Sequence, residues 1–102
     1  MGFLWLFQNL LARWMKTGYP TFACMNGHAY AGGFMLAMAH DFRLMKNDDS
    51  VCCMSEINIG AVLPRGMTQL IKDKCTPDVA RDMMVFGAKL TSKECHDRRI
   101  VD

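Results

Sequence analysis

A turn built of small residues, lying between two apolar runs, constrains this chain more than any other feature. The turn is Gly27-His-Ala-Tyr-Ala-Gly-Gly33; the run before it covers 21–25 and the run after it covers 34–40. A short apolar run between turn residues predicts a buried strand, and a longer run rich in Ala and Met predicts a buried helix. The sequence therefore predicts a strand that passes into a helix through a tight turn, as in α/β folds.

The segments on either side extend this pattern. Apolar residues at spacings of three and four predict a leading helix within residues 1–19, which Gly18 and Pro20 end. Later segments predict strands at 41–45 and 51–54, then helices at 67–74, 77–86 and from about 91 onwards. This order predicts an α/β fold with parallel strands joined by a crossover. Three short strands would form a small sheet with exposed edges, so we expect only part of a fold.

Composition and charge narrow the classes of function. The net charge of +2 is too small to favour nucleic acid as a partner. Five cysteines without a C-x-x-C pair do not predict a zinc site, and they favour a reduced intracellular compartment. We also expect no signal peptide and no membrane span, and we expect the apolar face of the leading helix to pack on the core. The ten methionines predict adaptable core filler or, alternatively, a flexible pocket for a long apolar substrate.

The small-residue turn has a chemical interpretation centred on Gly32. Small side chains let a ligand approach the backbone closely, and a helix that begins near Gly33 directs its free N–H groups and dipole to the same place. Such fixed dipoles stabilise an oxyanion that develops beside them. A tight strand–helix junction without a ligand is the alternative interpretation.

Two acidic positions are candidates for different roles. Glu56 lies in an otherwise uncharged stretch, 51–63, and apolar neighbours should raise its pKa towards the range useful for proton transfer. A solvated loop acid or a helix cap is the alternative for Glu56. Asp41 follows a predicted helix and starts a predicted strand, where a structural hydrogen bond is expected. Thr76 before Pro77, and Thr91 with Glu94, predict the starts of the last two helices.

The run PTFACMNGHAYAGGFMLAMAHD, residues 20–41, resembles the signature P-x-I-A-x-V-N-G-x-A-x-G-G-G-x-x-L-A-x-x-x-D of the crotonase superfamily, also called the enoyl-CoA hydratase/isomerase family. The resemblance continues in order through Met54-Ser-Glu-Ile-Asn-Ile-Gly60, Pro64 and later motifs to Asp102. It identifies 1–102 as one partial crotonase-like domain, with 1–19 as the leading helix and 20–102 as the family-matching core.

The resemblance implies a spiral of ββα units that binds an acyl-CoA thioester as substrate, without a further cofactor. It implies that Gly32 supplies one N–H of an oxyanion hole and that Glu56 is the catalytic acid/base. It also places Ala31, Gly33 and Met35 at the substrate. A homo-oligomer of the trimer type and a peroxisomal location are implied as well, because the motifs look most like the plant-type peroxisomal delta(3),delta(2)-enoyl-CoA isomerases.

This sequence departs from the family pattern at several positions. Met35 stands where hydratases carry a second glutamate, which favours isomerisation of a 3-enoyl-CoA over hydration of a 2-enoyl-CoA. Ala31 and Arg99 stand where the family has glycine. The first units of the spiral and the C-terminal helices are expected to be missing, so a catalytically silent remnant of the family is the other alternative.

Overall fold

The computed structural model describes residues 2–54 and 65–102, with the side chains of 2–4 left aside. The elements within these residues are, in chain order, helix α1 (Gly2–Met15), strand β1 (Phe22–Met25), β2 (Ala29–Tyr30), α2 (Gly32–Met38), β3 (Phe42–Met45), β4 (Val51–Cys53), α3 (Arg65–Lys74), α4 (Pro77–Met84), β5 (Leu90–Thr91) and α5 (Ser92–Asp97). No described helix has the length and apolar character needed to cross a membrane.

The strands form two small sheets rather than the single sheet of three strands expected from the sequence. β1 and β3 pair in parallel, with Phe22 opposite Phe42, and the connection between them contains α2. β4 lies between β2, which is parallel to it, and β5, which is antiparallel. The parallel crossover is therefore confirmed. The two strands that were missed are two residues long, too short to produce a period in the sequence.

The core lies between α2 and the helices that follow it. Phe34, Met35 and Met38 of α2 are completely buried, as are Ile71 of α3 and Met83 of α4. Five of the ten methionines belong to this core: Met35, Met38, Met54, Met67 and Met83. For these five, the prediction of core filler is confirmed, since Met adapts its shape to irregular gaps.

The predicted starts of the last two helices agree with the structure. Thr91 and Glu94 form the expected capping box, in which each side chain accepts a hydrogen bond from the other residue's backbone N–H. Thr76 is the N-cap of α4 with Pro77 in the first turn, although its hydroxyl donates to Asp78 Oδ1 rather than capping the backbone. Asp41 has the structural role expected, because its Oδ2 accepts a hydrogen bond from Thr21 N–H at 3.0 Å.

The leading helix packs less completely than its periodicity predicted. Leu11 is buried and Phe7 packs against the core, but Leu10 is 52% exposed, Trp14 39% and Met15 45%. The prediction that this whole apolar face lies on the core is therefore wrong for its outer half. The helix is apolar on more than one side, and among its described side chains Phe7 and Leu11 are the apolar ones that pack on the core.

Arg43 holds the end of the chain against the crossover unit. Its side chain is only 7% exposed, and it donates to Ile100 O at 2.7 Å and to His40 O at 2.8 Å. Its backbone N–H donates to Asp102 Oδ2, and its C=O accepts from Asp102 N–H at 2.7 Å. His40 follows the C-terminal end of α2, where a cation is favoured by the helix dipole. Arg43 therefore links the segment that follows α2 to residues 100–102.

We expect Arg43→Met to lower the free energy of unfolding by about 1–3 kcal/mol, because Ile100 C=O loses its charged donor and His40 C=O keeps only the donor from Lys74 Nζ. Arg81→Met is the control, since that side chain is 59% exposed and its removal should change stability by about 0.5 kcal/mol or less. Urea unfolding of the three proteins measures the difference. Equal midpoints for the two variants would contradict the role given to Arg43.

Candidate functional site

The turn around Gly32 is held in place by the neighbouring strand. Ala31 N–H donates to Cys53 O at 2.9 Å, which continues the parallel pairing of β2 with β4 by one residue. Ala31 C=O then accepts from Met35 N–H at 3.0 Å, the first hydrogen bond of α2. The chain thus passes from strand to helix at a single residue, and Gly32 is the first residue of the helix.

Gly32 and Gly33 lie at the start of α2, where the sequence predicts free backbone N–H groups. Both lie in the first turn of α2, where N–H groups have no partner within the helix, and the side chain of Ala31 forms no cap. Within residues 2–54 and 65–102, no hydrogen-bond acceptor is recorded for either N–H group. Gly33 is exposed and Gly32 is half-buried. The arrangement can bind one oxygen with partial negative charge.

A contact from the leading helix borders the turn on one side. A Cβ placed on Gly32 would lie 3.8 Å from Cζ of Phe7. The ring of Phe7 therefore packs beside Gly32 and limits the approach of a ligand from that direction. Sequence reasoning placed Phe7 on the apolar face of the leading helix but did not connect it with Gly32, because nothing local in the sequence relates residues so far apart.

The backbone at Ala31 explains why this family position favours glycine. Ala31 has φ 50° and ψ −115°, a conformation that is strained for any residue with a side chain. Arg99, at φ 63°, is the other described non-glycine residue with positive φ. Ala31 and Arg99, which both stand where the family has glycine, thus both have positive φ. The fold keeps these conformations without glycine because the surrounding hydrogen bonds impose them.

Of the other predicted site residues that the structure describes, Met35 does not reach the surface of the turn. Met35 is completely buried in the core, one helical turn behind Ala31. Ala31 is half-buried beside Gly32. Glu56 lies outside the described residues, so its role as acid/base stays a prediction.

Other ionisable groups near the turn have structural partners. His28 Nδ1 accepts a hydrogen bond from Val51 N–H at 3.0 Å, which occupies this nitrogen at the start of the β2–β4 pair. The pKa of the Cys52 thiol is raised, mainly by a hydrogen bond with Cys95 and secondly by burial. Cys52 therefore stays protonated and is a poor nucleophile. Within the described part of the chain, no group of three or more His, Cys, Asp or Glu side chains could hold a metal ion.

Comparison with known proteins gives a family match over almost the whole chain. The family model described as enoyl-CoA hydratase/isomerase matches residues 4–102, which includes most of the leading helix. Enoyl-CoA delta isomerase 3 of Arabidopsis thaliana is 37% identical over 97 residues, which are 94% of this chain and 41% of the relative. The peroxisomal enoyl-CoA delta isomerase 2 of the same plant is 35% identical over 97 residues, or 94% and 40%.

Solved structures share the fold. An enoyl-CoA hydratase from Mycobacterium marinum superimposes with a TM-score of 0.88 at 20% identity, over 94% of this chain and 42% of that one. An enoyl-CoA hydratase from Polaromonas sp. JS666 gives 0.81 at 23% identity, over 93% and 37%. The expected crotonase architecture is thus confirmed. The chain spans about 40% of the length of the curated relatives it matches.

The strain at Ala31 yields a stability prediction. We expect Ala31→Gly to raise the free energy of unfolding by about 1 kcal/mol, because the relief of backbone strain exceeds the added entropy of the unfolded chain. Arg99→Gly should act in the same direction for the same reason.

Ala12→Gly is the matched control for these two changes. Ala12 lies inside α1, where glycine should lower stability by about 1 kcal/mol. Thermal or urea unfolding compares the variants. If Ala31→Gly lowered the free energy of unfolding as Ala12→Gly does, this result would contradict the backbone strain assigned to Ala31.

Proposed function

Because the chain belongs to the enoyl-CoA hydratase/isomerase family, we propose that it is the portion of an acyl-CoA isomerase that holds the thioester oxygen and moves the proton. The observation that carries the proposal is the turn at Ala31 and Gly32. Gly32 is the first residue of α2, and Ala31 N–H donates a hydrogen bond to Cys53 O. Glu56 comes three residues after Cys53 in the sequence, on the segment that follows the strand holding the turn.

The proposed reaction moves one double bond of a 3-enoyl-CoA to the 2-trans position. Glu56 removes a proton from C2, and the electron pair passes into the thioester carbonyl to form a dienolate. Gly32 N–H stabilises the negative oxygen, since a fixed dipole needs no reorganisation as charge develops. The same carboxyl group returns the proton to C4, so atoms and electrons balance with no cofactor besides the acyl-CoA substrate.

The burial of Met35 favours isomerisation over hydration. Water addition in this family uses a second carboxyl group at this position of the turn helix, and here the position holds an apolar side chain with no exposed surface. One carboxyl group is enough for a proton shuttle between C2 and C4. The names of the two Arabidopsis isomerases, one of them peroxisomal, support isomerase activity and a peroxisomal location for this chain.

A silent member of the family is the second candidate. An oxyanion hole of this type uses two N–H donors, and the turn at Gly32 supplies one side of it. The relatives are about two and a half times as long as this segment, given the 40–41% of their length that it covers. In this second candidate, the second donor and the trimer-type assembly implied by the family would depend on polypeptide beyond these 102 residues, and the chain alone would not turn over substrate.

Glu56→Gln tests the proposed base. Isomerisation of a 3-enoyl-CoA, followed through the absorbance of the conjugated product, should slow by about 100-fold or more, because glutamine cannot accept the proton. Glu94→Gln is the matched control; it makes the same change at the chain's other glutamate, where glutamine can still close the capping box.

Three outcomes separate the candidates. A Glu56→Gln variant as fast as the wild type would contradict the proposed base. Hydration of a 2-enoyl-CoA by the wild-type chain would contradict the argument from Met35. If the wild-type chain neither isomerised a 3-enoyl-CoA nor bound it in calorimetry, the silent candidate would replace the isomerase.

A further inference from the structure

Two buried thiols meet between strand β4 and helix α5. Cys52 of β4 lies opposite Leu90 of β5 in the antiparallel pair, so both side chains lie on the same face of the sheet. Helix α5 begins directly after β5 and packs on β4, and the Sγ atom of its Cys95 donates a hydrogen bond to Leu90 O at 3.5 Å. The thiols of Cys52 and Cys95 are hydrogen-bonded to each other, and neither residue has any exposed surface.

Two other sulfur groups lie close to Cys52, but they differ from Cys95 in chemistry or in direction. Met45 Sδ is 3.9 Å from Cys52 Sγ, but a thioether carries no S–H and cannot form a disulfide. Cys53 is the next residue of the strand, and successive side chains of a strand point to opposite faces. Its Sγ atom donates to Gly87 O at 3.5 Å instead. The geometry therefore pairs Cys52 with Cys95.

The hydrogen bond gives the two thiols different roles. It lowers the pKa of the Cys95 thiol, because a donor beside the sulfur stabilises the thiolate, although burial acts in the opposite direction. The same bond and burial raise the pKa of the Cys52 thiol. Because the thiolate is the nucleophile, Cys95 is the thiol that reacts first with an oxidant, and Cys52 is its neighbour in position to form the disulfide.

We propose that Cys52 and Cys95 form a site of reversible oxidation, at which hydrogen peroxide converts the two thiols into a disulfide. The sulfur of Cys95 attacks one peroxide oxygen, the O–O bond breaks, and the leaving hydroxide takes up the thiol proton, which gives water and a sulfenic acid. The sulfur of Cys52 then attacks that of Cys95, and the hydroxide that leaves takes the Cys52 proton as a second water. The two sulfurs lose two electrons and the peroxide gains them. The second step is intramolecular, so proximity offsets the low nucleophilicity of Cys52.

The burial of the pair determines which oxidant can reach it. Both thiols lie in the apolar core, which favours a small uncharged oxidant such as hydrogen peroxide over a charged peptide disulfide. Local opening of α5, a helix of six residues, admits a small molecule without unfolding of the whole chain.

The disulfide would join α5 to the strand that supports the turn. Cys53, the residue after Cys52, is the one whose C=O accepts from Ala31 N–H at 2.9 Å. A cross-link from Cys52 to Cys95 restricts the unfolded chain over a long loop, so we expect oxidation to raise the Tm by about 10 °C. This modification goes beyond the proposed isomerase function and does not depend on it.

Peptide mapping of the folded 102-residue chain after treatment with hydrogen peroxide tests the site. Cys24→Ser serves as the background, because it removes the exposed thiol that could join two chains. The remaining thiols are alkylated as the chain is unfolded, and trypsin then separates Cys52, Cys75 and Cys95 into different peptides. We expect the Cys95 peptide to be joined to the segment 47–65, in a monomer whose mass is lower by two hydrogens. Dithiothreitol should restore both thiols.

Cys52→Ser and Cys53→Ser are the matched pair, since both replace a buried thiol of the same strand. Only Cys52→Ser should abolish the joined peptides and the rise in Tm, and Cys52→Ala replaces it if circular dichroism shows that the serine variant does not fold. The proposal is overturned if the folded chain yields no joined peptides, if the joined peptides persist in Cys52→Ser, or if Cys95 is joined to Cys75 instead. Joined peptides that form only in urea would overturn it as well.

Discussion

The hydrogen bond from Ala31 N–H to Cys53 O is the interaction on which the candidate site depends. It joins the end of β2 to β4 and forces the chain to leave the strand at Ala31 with positive φ. The helix must then begin at Gly32, which leaves the first N–H groups of α2 free of helical partners. Without this bond the turn would have no fixed direction, and a donor whose direction is not fixed stabilises little charge.

Much of this arrangement could be predicted from the sequence because its causes are local. Small residues between two apolar runs indicated the turn, and Thr91 with Glu94 indicated the last helix. The sequence showed that Ala31 and Arg99 stand where the family has glycine, and the structure adds that both have positive φ, the conformation for which glycine is favoured. These signals depend on neighbours within a few positions of each other along the chain.

The features that were missed depend on residues far apart in the sequence. Two-residue strands β2 and β5 exist because β4 lies between them, and no pattern within two residues can show that. The packing of Phe7 beside Gly32, and the clamp that Arg43 makes on Ile100 and Asp102, are likewise tertiary contacts. The outer half of α1 was misjudged because periodicity identifies an apolar face but does not show whether a partner covers it.

The central claim is that Gly32 N–H receives the oxygen of a thioester. NMR of the chain labelled with ¹⁵N at glycine, titrated with an acyl-CoA thioester and separately with a CoA thioether that lacks the carbonyl group, tests this most directly. We predict that the Gly32 amide shifts downfield with the thioester and stays in place with the thioether, because only the thioester has an acyl carbonyl oxygen beside the sulfur to accept the hydrogen bond. Equal shifts with both ligands, or binding that leaves Gly32 unchanged, would contradict the claim.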